Sequence, residues 1–194
     1  MQLIAICNKG NEYLHSLINC GKAEKTIVLL LGGTIPSNKN RTDSVYSITG
    51  RFDDHHIARL LEEKTIFIES RVQYIGDNWY IAGIGGRDPI ANVNAVERAL
   101  DEILVKGTKK YLILATYFCP YGICDKSPLG GRRGLHELLE IINNYPVKLL
   151  ISCDCGPGVV EYKDVTIVCL GNGSCTSLTD LNNEGLSSRV HCGE

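Results

Sequence analysis

The chain has 194 residues, 44% of them hydrophobic, with 20 basic and 22 acidic side chains and a net charge of -2. That length and composition suit one domain, residues 1–194, with a sizeable core, and they exclude a disordered or fibrous polymer. The balanced charge disfavours nucleic acid as a partner, and no apolar run approaches membrane-spanning length, so no membrane is expected.

In chain order, residues 3–7 form a short apolar strand. Residues 12–20 carry Tyr13, Leu14, Leu17 and Ile18 at helical spacing, with Gly21 as a stop. The run TIVLLL over 26–31 reads as a fully buried strand, ending at Gly32-Gly33 before the polar surface loop SNKNRTDS. A helix is expected over 53–63, with Ile57, Leu60 and Leu61 on one face, followed by a strand over 65–68. Residues 71–83 read as a hairpin turning at Gly76-Asp77. A helix over 92–105, a strand over 111–115, a helix over 133–143 and a strand over 147–151 continue the alternation, and 159–162 with 165–169 suggest a last hairpin. Alternation interrupted by hairpins implies a mixed α/β fold rather than a purely parallel one. The opening MQLIAIC is broken by Asn8 and Lys9 before it reaches signal-peptide length, so the chain reads as cytoplasmic, and Asn172-Gly173-Ser174 as a surface turn.

Nine cysteines stand at positions 7, 20, 119, 124, 153, 155, 169, 175 and 192. Three readings are open: buried thiols acting as small hydrophobes, a soft-metal site, or intracellular disulfides of the kind some hyperthermophiles use. Histidines are sparse. His15 and His136 fall inside expected helices, and His55 and His56 open the helix at 53–63.

The stretch YLILATYFCPYGICDKSPLGGRRG, over 111–134, has the layout of an active-site loop at a strand end. Together with IAICNKGN, LLLGGT, ITGRFD, IAGIGGR, LLISCDCG and VCLGNGS, taken in order, it resembles the calcineurin-like metallophosphoesterases. The resemblance implies two stacked mixed β-sheets flanked by helices, an α/β/β/α sandwich, with the site where strand-end loops converge. It also implies where metal ligands would stand, and the residues there are wrong for the task. Asn8 lies in the segment matching the family's Asp-x-His, Gly33 at its bridging carboxylate, Arg51 at its Asn ligand, Tyr117 at a strand-end His, and Cys153 and Cys155 at its closing Gly-His-x-His pair.

Two close divalent cations need negative oxygen ligands, above all a bridging carboxylate, to offset their repulsion and to activate a shared water. The expectation is therefore a domain without dinuclear-metal hydrolysis, a pseudoenzyme on a hydrolase fold. Lys9, Arg51, Arg87, Arg132 and Arg133 map to loops around the site. Guanidinium groups can anchor phosphate where metals once did, making the vestigial site an anion-binding or protein-interaction module. The expected partners are a phosphate-containing ligand such as a nucleotide, another protein, or a second copy of the chain. Two alternatives stay open. One is an active phosphodiesterase or phosphatase with a site rebuilt from cysteine, Asp53, Asp154 or His55. The other is a redox or soft-metal protein in which Cys7, Cys119, Cys153 and Cys155, with the last two on one side of an extended strand end, bind zinc or an iron–sulfur cluster; otherwise no cofactor is expected.

Overall fold

The computed structural model describes residues 2–8, 26–36, 44–103, 110–127 and 129–176, with the backbone of 177–178, 181–182 and 185–186. The expected helix at 12–20, and with it His15, Lys9 and Cys20, lies outside the described residues, as does Cys192.

Two mixed sheets form the frame. The first has five strands in the order β11-β1-β2-β3-β4, where β1 is Gln2–Cys7, β2 Thr26–Leu31, β3 Val45–Ile48, β4 Ile66–Phe67 and β11 Cys175–Leu178. The second has six, β5-β6-β7-β8-β10-β9, with β5 Val72–Gly76, β6 Trp79–Ile84, β7 Tyr111–Thr116, β8 Val147–Ser152, β9 Gly158–Tyr162 and β10 Val165–Cys169. In each sheet the central strands run parallel while β11, β5 and β9 pair antiparallel at the edges. A two-stranded ribbon, β12 (Leu181–Asn182) with β13 (Gly185–Leu186), follows.

The central strands are apolar on both faces because both faces are buried. Leu3, Ala5, Cys7, Ile27, Leu29 and Leu31 of the first sheet meet Ile81, Ile113, Ala115, Leu149 and Ile151 of the second, and this inter-sheet layer is the main core. Alternate residues of the second sheet, among them Ala82, Leu112, Leu114 and Leu150, pack instead on Val93, Val96 and Leu100 of helix α2 (Pro89–Ile103) and on Leu138, Ile141 and Ile142 of α3 (Glu137–Asn144). Each such fully buried aliphatic side chain contributes about 1.5–3 kcal/mol of transfer free energy. The two-sheet α/β sandwich is the expected architecture.

Helix α1 (His55–Lys64) begins two residues later than its apolar pattern suggested, because the Asp54 carboxylate caps it by accepting the Ile57 N–H at 2.9 Å. The hairpin turns one residue further on, at Asp77-Asn78, whose φ values of 52° and 64° match a two-residue hairpin loop. Residues 133–136 are not helical. Arg133 N–H donates to the Asp125 carbonyl at 3.0 Å, and Pro120 bridges Leu135, so this segment is held as loop before α3 starts. Strands β3 and β11 were not foreseen; each is a four-residue run interrupted by serine, VYSI and CTSL, so neither reads as an unbroken apolar strand. Among the described residues no helix is long and apolar enough to cross a membrane.

Candidate functional site

The parallel strands of both sheets end at the same edge of the sandwich, and their following loops meet there. Asn8, just after β1 and with φ 45°, donates from Nδ2 to the Tyr117 hydroxyl at 3.2 Å. Tyr117 follows β7 and is buried. Its ring lies against the glycines that end three other strands. A Cβ at Gly32 would sit 2.6 Å from Asn8 Oδ1 and 3.0 Å from Tyr117 Cε2, and one at Gly86 would sit 2.4 Å from the Arg51 nitrogen and 2.8 Å from Tyr117 Cδ1. Only glycine fits such approaches, and Gly32 additionally adopts φ 83°.

Asp53 closes the next layer. Its Oδ2 accepts the N–H of Gly33 at 2.9 Å and of Gly50 at 2.7 Å, binding the loop after β2 to the loop after β3. A second carboxylate, Glu69, accepts the Thr49 N–H at 2.9 Å together with its hydroxyl, and the Asn92 amide at 3.3 Å. Glu69, Thr49 and Asn92 went unnoticed in sequence because none stands at a ligand position of the resembled family; their network exists only where β4, β3 and α2 meet.

The residues matched to ligands are thus partly brought together. Asn8, Gly33 and Tyr117 converge with Gly50 and the Arg51 backbone. Cys153 joins them through a disulfide to Cys7, with Cα atoms 5.5 Å apart and a sequence separation of 146. Cys155 departs. Asp154 has φ 49°, so the backbone is not extended and the two cysteines do not share a side. Cys155 instead forms a second disulfide with Cys119. The thiolate cluster expected of Cys7, Cys119, Cys153 and Cys155 is therefore corrected to two crosslinks, whose sulfurs have no thiolate to offer zinc or iron in this state. Among the described residues no group of three or more His, Cys, Asp or Glu side chains could hold a metal ion. The rebuilt ligand set is also dispersed: Asp53 is occupied by backbone N–H groups, Asp154 lies 4.0 Å from Arg133, and His55 faces Arg87.

The cations divide into two groups. Arg132 pairs at 2.8 Å with Asp125, whose side chain is 1% exposed and also accepts the Gly122 N–H, and Arg133 belongs to Asp154. These two belong to the loop after β7. Arg51 and Arg87 stand in the loops after β3 and β6, and neither forms an ion pair with a described carboxylate. Arg51 lies over the Phe52 ring, 5.7 Å from its centroid, and Arg87 Nη2 lies 3.0 Å from His55 Nδ1. Nearby, Asp54 has its carboxyl held below the usual range, chiefly by the Ile57 N–H and further by His56 and Arg87. Beyond Cys155, a depression of about 430 Å³ is lined by Lys126, Ser127, Arg133, Asp154 and Asn172 among others.

No protein-family model matches the sequence, and neither does any curated protein sequence. Solved structures do match. One crystal structure, 13% identical, superposes with a TM-score of 0.70 over 100% of this chain and 98% of its own. At that identity the likeness establishes the two-sheet fold alone.

Proposed function

We propose that this chain is a degenerate relative of the calcineurin-like metallophosphoesterases that has exchanged metal-dependent hydrolysis for binding a phosphate-containing anion. The observation that carries the reading is the occupation of the strand-end basin by Tyr117 and Asn8, with Arg51 and Arg87 on the adjoining loops and neither in an ion pair with a described carboxylate. A tyrosine and an amide supply neither the bridging negative charge nor the open coordination positions that a metal pair requires. Guanidinium groups on neighbouring loops offer a phosphate bidentate, charge-assisted hydrogen bonds, but they cannot generate a hydroxide nucleophile. Phe52, 88% exposed beside Arg51, favours a second reading in which the same rim docks a protein partner or another copy of the chain. The proposed setting is cytoplasmic, a compartment whose reductants keep most thiols free.

The test pairs binding with turnover. Inorganic phosphate and a mononucleotide are expected to raise the melting temperature, the double variant Arg51→Ala/Arg87→Ala to abolish that rise, and bis-p-nitrophenyl phosphate to remain unhydrolysed with manganese. Manganese-dependent turnover abolished by a chelator would overturn the reading, as would a phosphate shift that survives loss of both arginines.

A further inference from the structure

The tripeptide Cys153-Asp154-Cys155 sends its two sulfurs into different surroundings. Cys153 is 0% exposed within the inter-sheet core and is bonded to Cys7, also 0% exposed. Cys155 is half-buried and lines the open depression, while its partner Cys119 is buried at 1% exposure. Around this second disulfide stand further sulfur and oxygen groups. The Ser152 hydroxyl lies 3.1 Å from Cys155 Sγ, and the Cys124 carbonyl lies 3.6 Å from Cys119 Sγ. The Cys169 thiol meets both the Ser152 hydroxyl and the Cys124 thiol. Lys126 and Arg133 line the depression together with Asp125 and Asp154.

We propose that Cys119–Cys155 is an exchange-active disulfide that accepts electrons from a dithiol donor through this depression, whereas Cys7–Cys153 is a structural crosslink. Accessibility selects the sulfur attacked. The donor thiolate attacks Cys155 Sγ, the S–S bond breaks with its electron pair going to Cys119, and Cys119 takes a proton from solvent. The resulting S–H has the Cys124 carbonyl as acceptor. The donor's second thiolate then attacks the donor sulfur of the mixed disulfide, expelling Cys155 as a thiolate that later takes a second proton. Two electrons pass to the protein, and the donor leaves as a disulfide. Ser152 is the positioning residue, since its hydroxyl can donate to the Cys155 thiolate and so make it a better leaving group. Cys169 is a spectator: burial pushes its thiol up to about 12, which leaves little thiolate near neutral pH.

The test treats native, oxidised protein with dithiothreitol at neutral pH, quenches with N-ethylmaleimide and maps the labelled cysteines by mass spectrometry. Cys119 and Cys155 are expected to label about tenfold or more faster than Cys7 and Cys153, because only their disulfide has a cysteine lining the open depression. Equal rates, the reverse order, or no labelling of either pair before denaturant is added would each overturn the proposal. Single variants provide an independent measurement. In Cys119→Ser the freed Cys155 is expected to form a mixed disulfide with an aromatic disulfide reagent faster than the freed Cys119 does in Cys155→Ser; the opposite order refutes attack at Cys155. Adding Ser152→Ala to Cys119→Ser is expected to move the pH midpoint of that reaction upward, and an unchanged midpoint removes Ser152 from its role.

Discussion

Deleting the inter-sheet crosslink isolates what ties the two sheets together at the strand-end edge. In Cys7→Ala/Cys153→Ala the covalent link between the end of β1 and the end of β8 is lost, across a sequence separation of 146 residues. For a loop of that size the chain-entropy treatment gives about 5 kcal/mol of stabilisation, all of it from restricting the unfolded chain. That is a large share of the roughly 5–15 kcal/mol that separates folded from unfolded states of most domains. Both positions are 0% exposed, so removing two sulfurs from the core adds a cavity cost in the same direction. The Cys119–Cys155 loop crosses this one in sequence and already restricts part of the same chain, so about 5 kcal/mol is an upper figure and deleting both pairs costs less than their sum. With about 2–4 °C of melting temperature per kcal/mol for a chain of this size, the expected fall is roughly 10–20 °C. Scanning calorimetry of the oxidised wild type and the double variant, with thiol mapping to confirm that Cys119–Cys155 remains intact, measures it. A fall of less than about 3 °C, or free thiols at both positions in the oxidised wild type, would refute the reasoning.

Three further outcomes are expected. Tyr117→Phe deprives the Asn8 amide of its acceptor while keeping the ring, and should cost about 1 kcal/mol in urea unfolding, against about 3–5 kcal/mol for Tyr117→Ala, which empties the packing space between Gly32, Gly50 and Gly86. Gly32→Ala forces a Cβ to 2.6 Å from Asn8 Oδ1 at φ 83° and should destabilise by more than about 1 kcal/mol; unchanged stability would mean that the basin is looser than described. Burial, aided by its hydrogen bond to Asp101 at 2.9 Å, pushes the Tyr145 phenol up to about 12 from 10.0, so folding favours its protonated form. Its contribution is complete below pH 10.0 and lost as the pH rises towards about 12, and Tyr145→Phe should flatten the stability profile in that window and remove one phenolate from the absorbance titration near its upper end.

The order of strands and helices was readable because it rests on local patterns: unbroken apolar runs at 26–31 and 111–115, helical spacing at Val93, Val96 and Leu100, and glycine and proline stops between them. The misplaced edges are equally local. Asp54 sets the start of α1 through a cap, and Gly134, whose Cβ would lie 2.6 Å from Tyr121 Cα, belongs to a loop packed against a neighbouring segment rather than to a helix. The wrong residue types for a metal pair were also legible, since Asn8, Gly33, Arg51 and Tyr117 state their chemistry without coordinates. Their arrangement was not. Spacing places Cys153 and Cys155 on one strand end, but the left-handed Asp154 between them sends one sulfur to Cys7 and the other to Cys119. Likewise five loop cations looked equivalent, and Arg132 was separated from Arg51 and Arg87 only by the buried Asp125 folded beneath it. Residue chemistry and short-range periodicity are properties of the chain itself; the pairing of sulfurs and charges distant in sequence depends on which loops the two stacked sheets carry to a common edge.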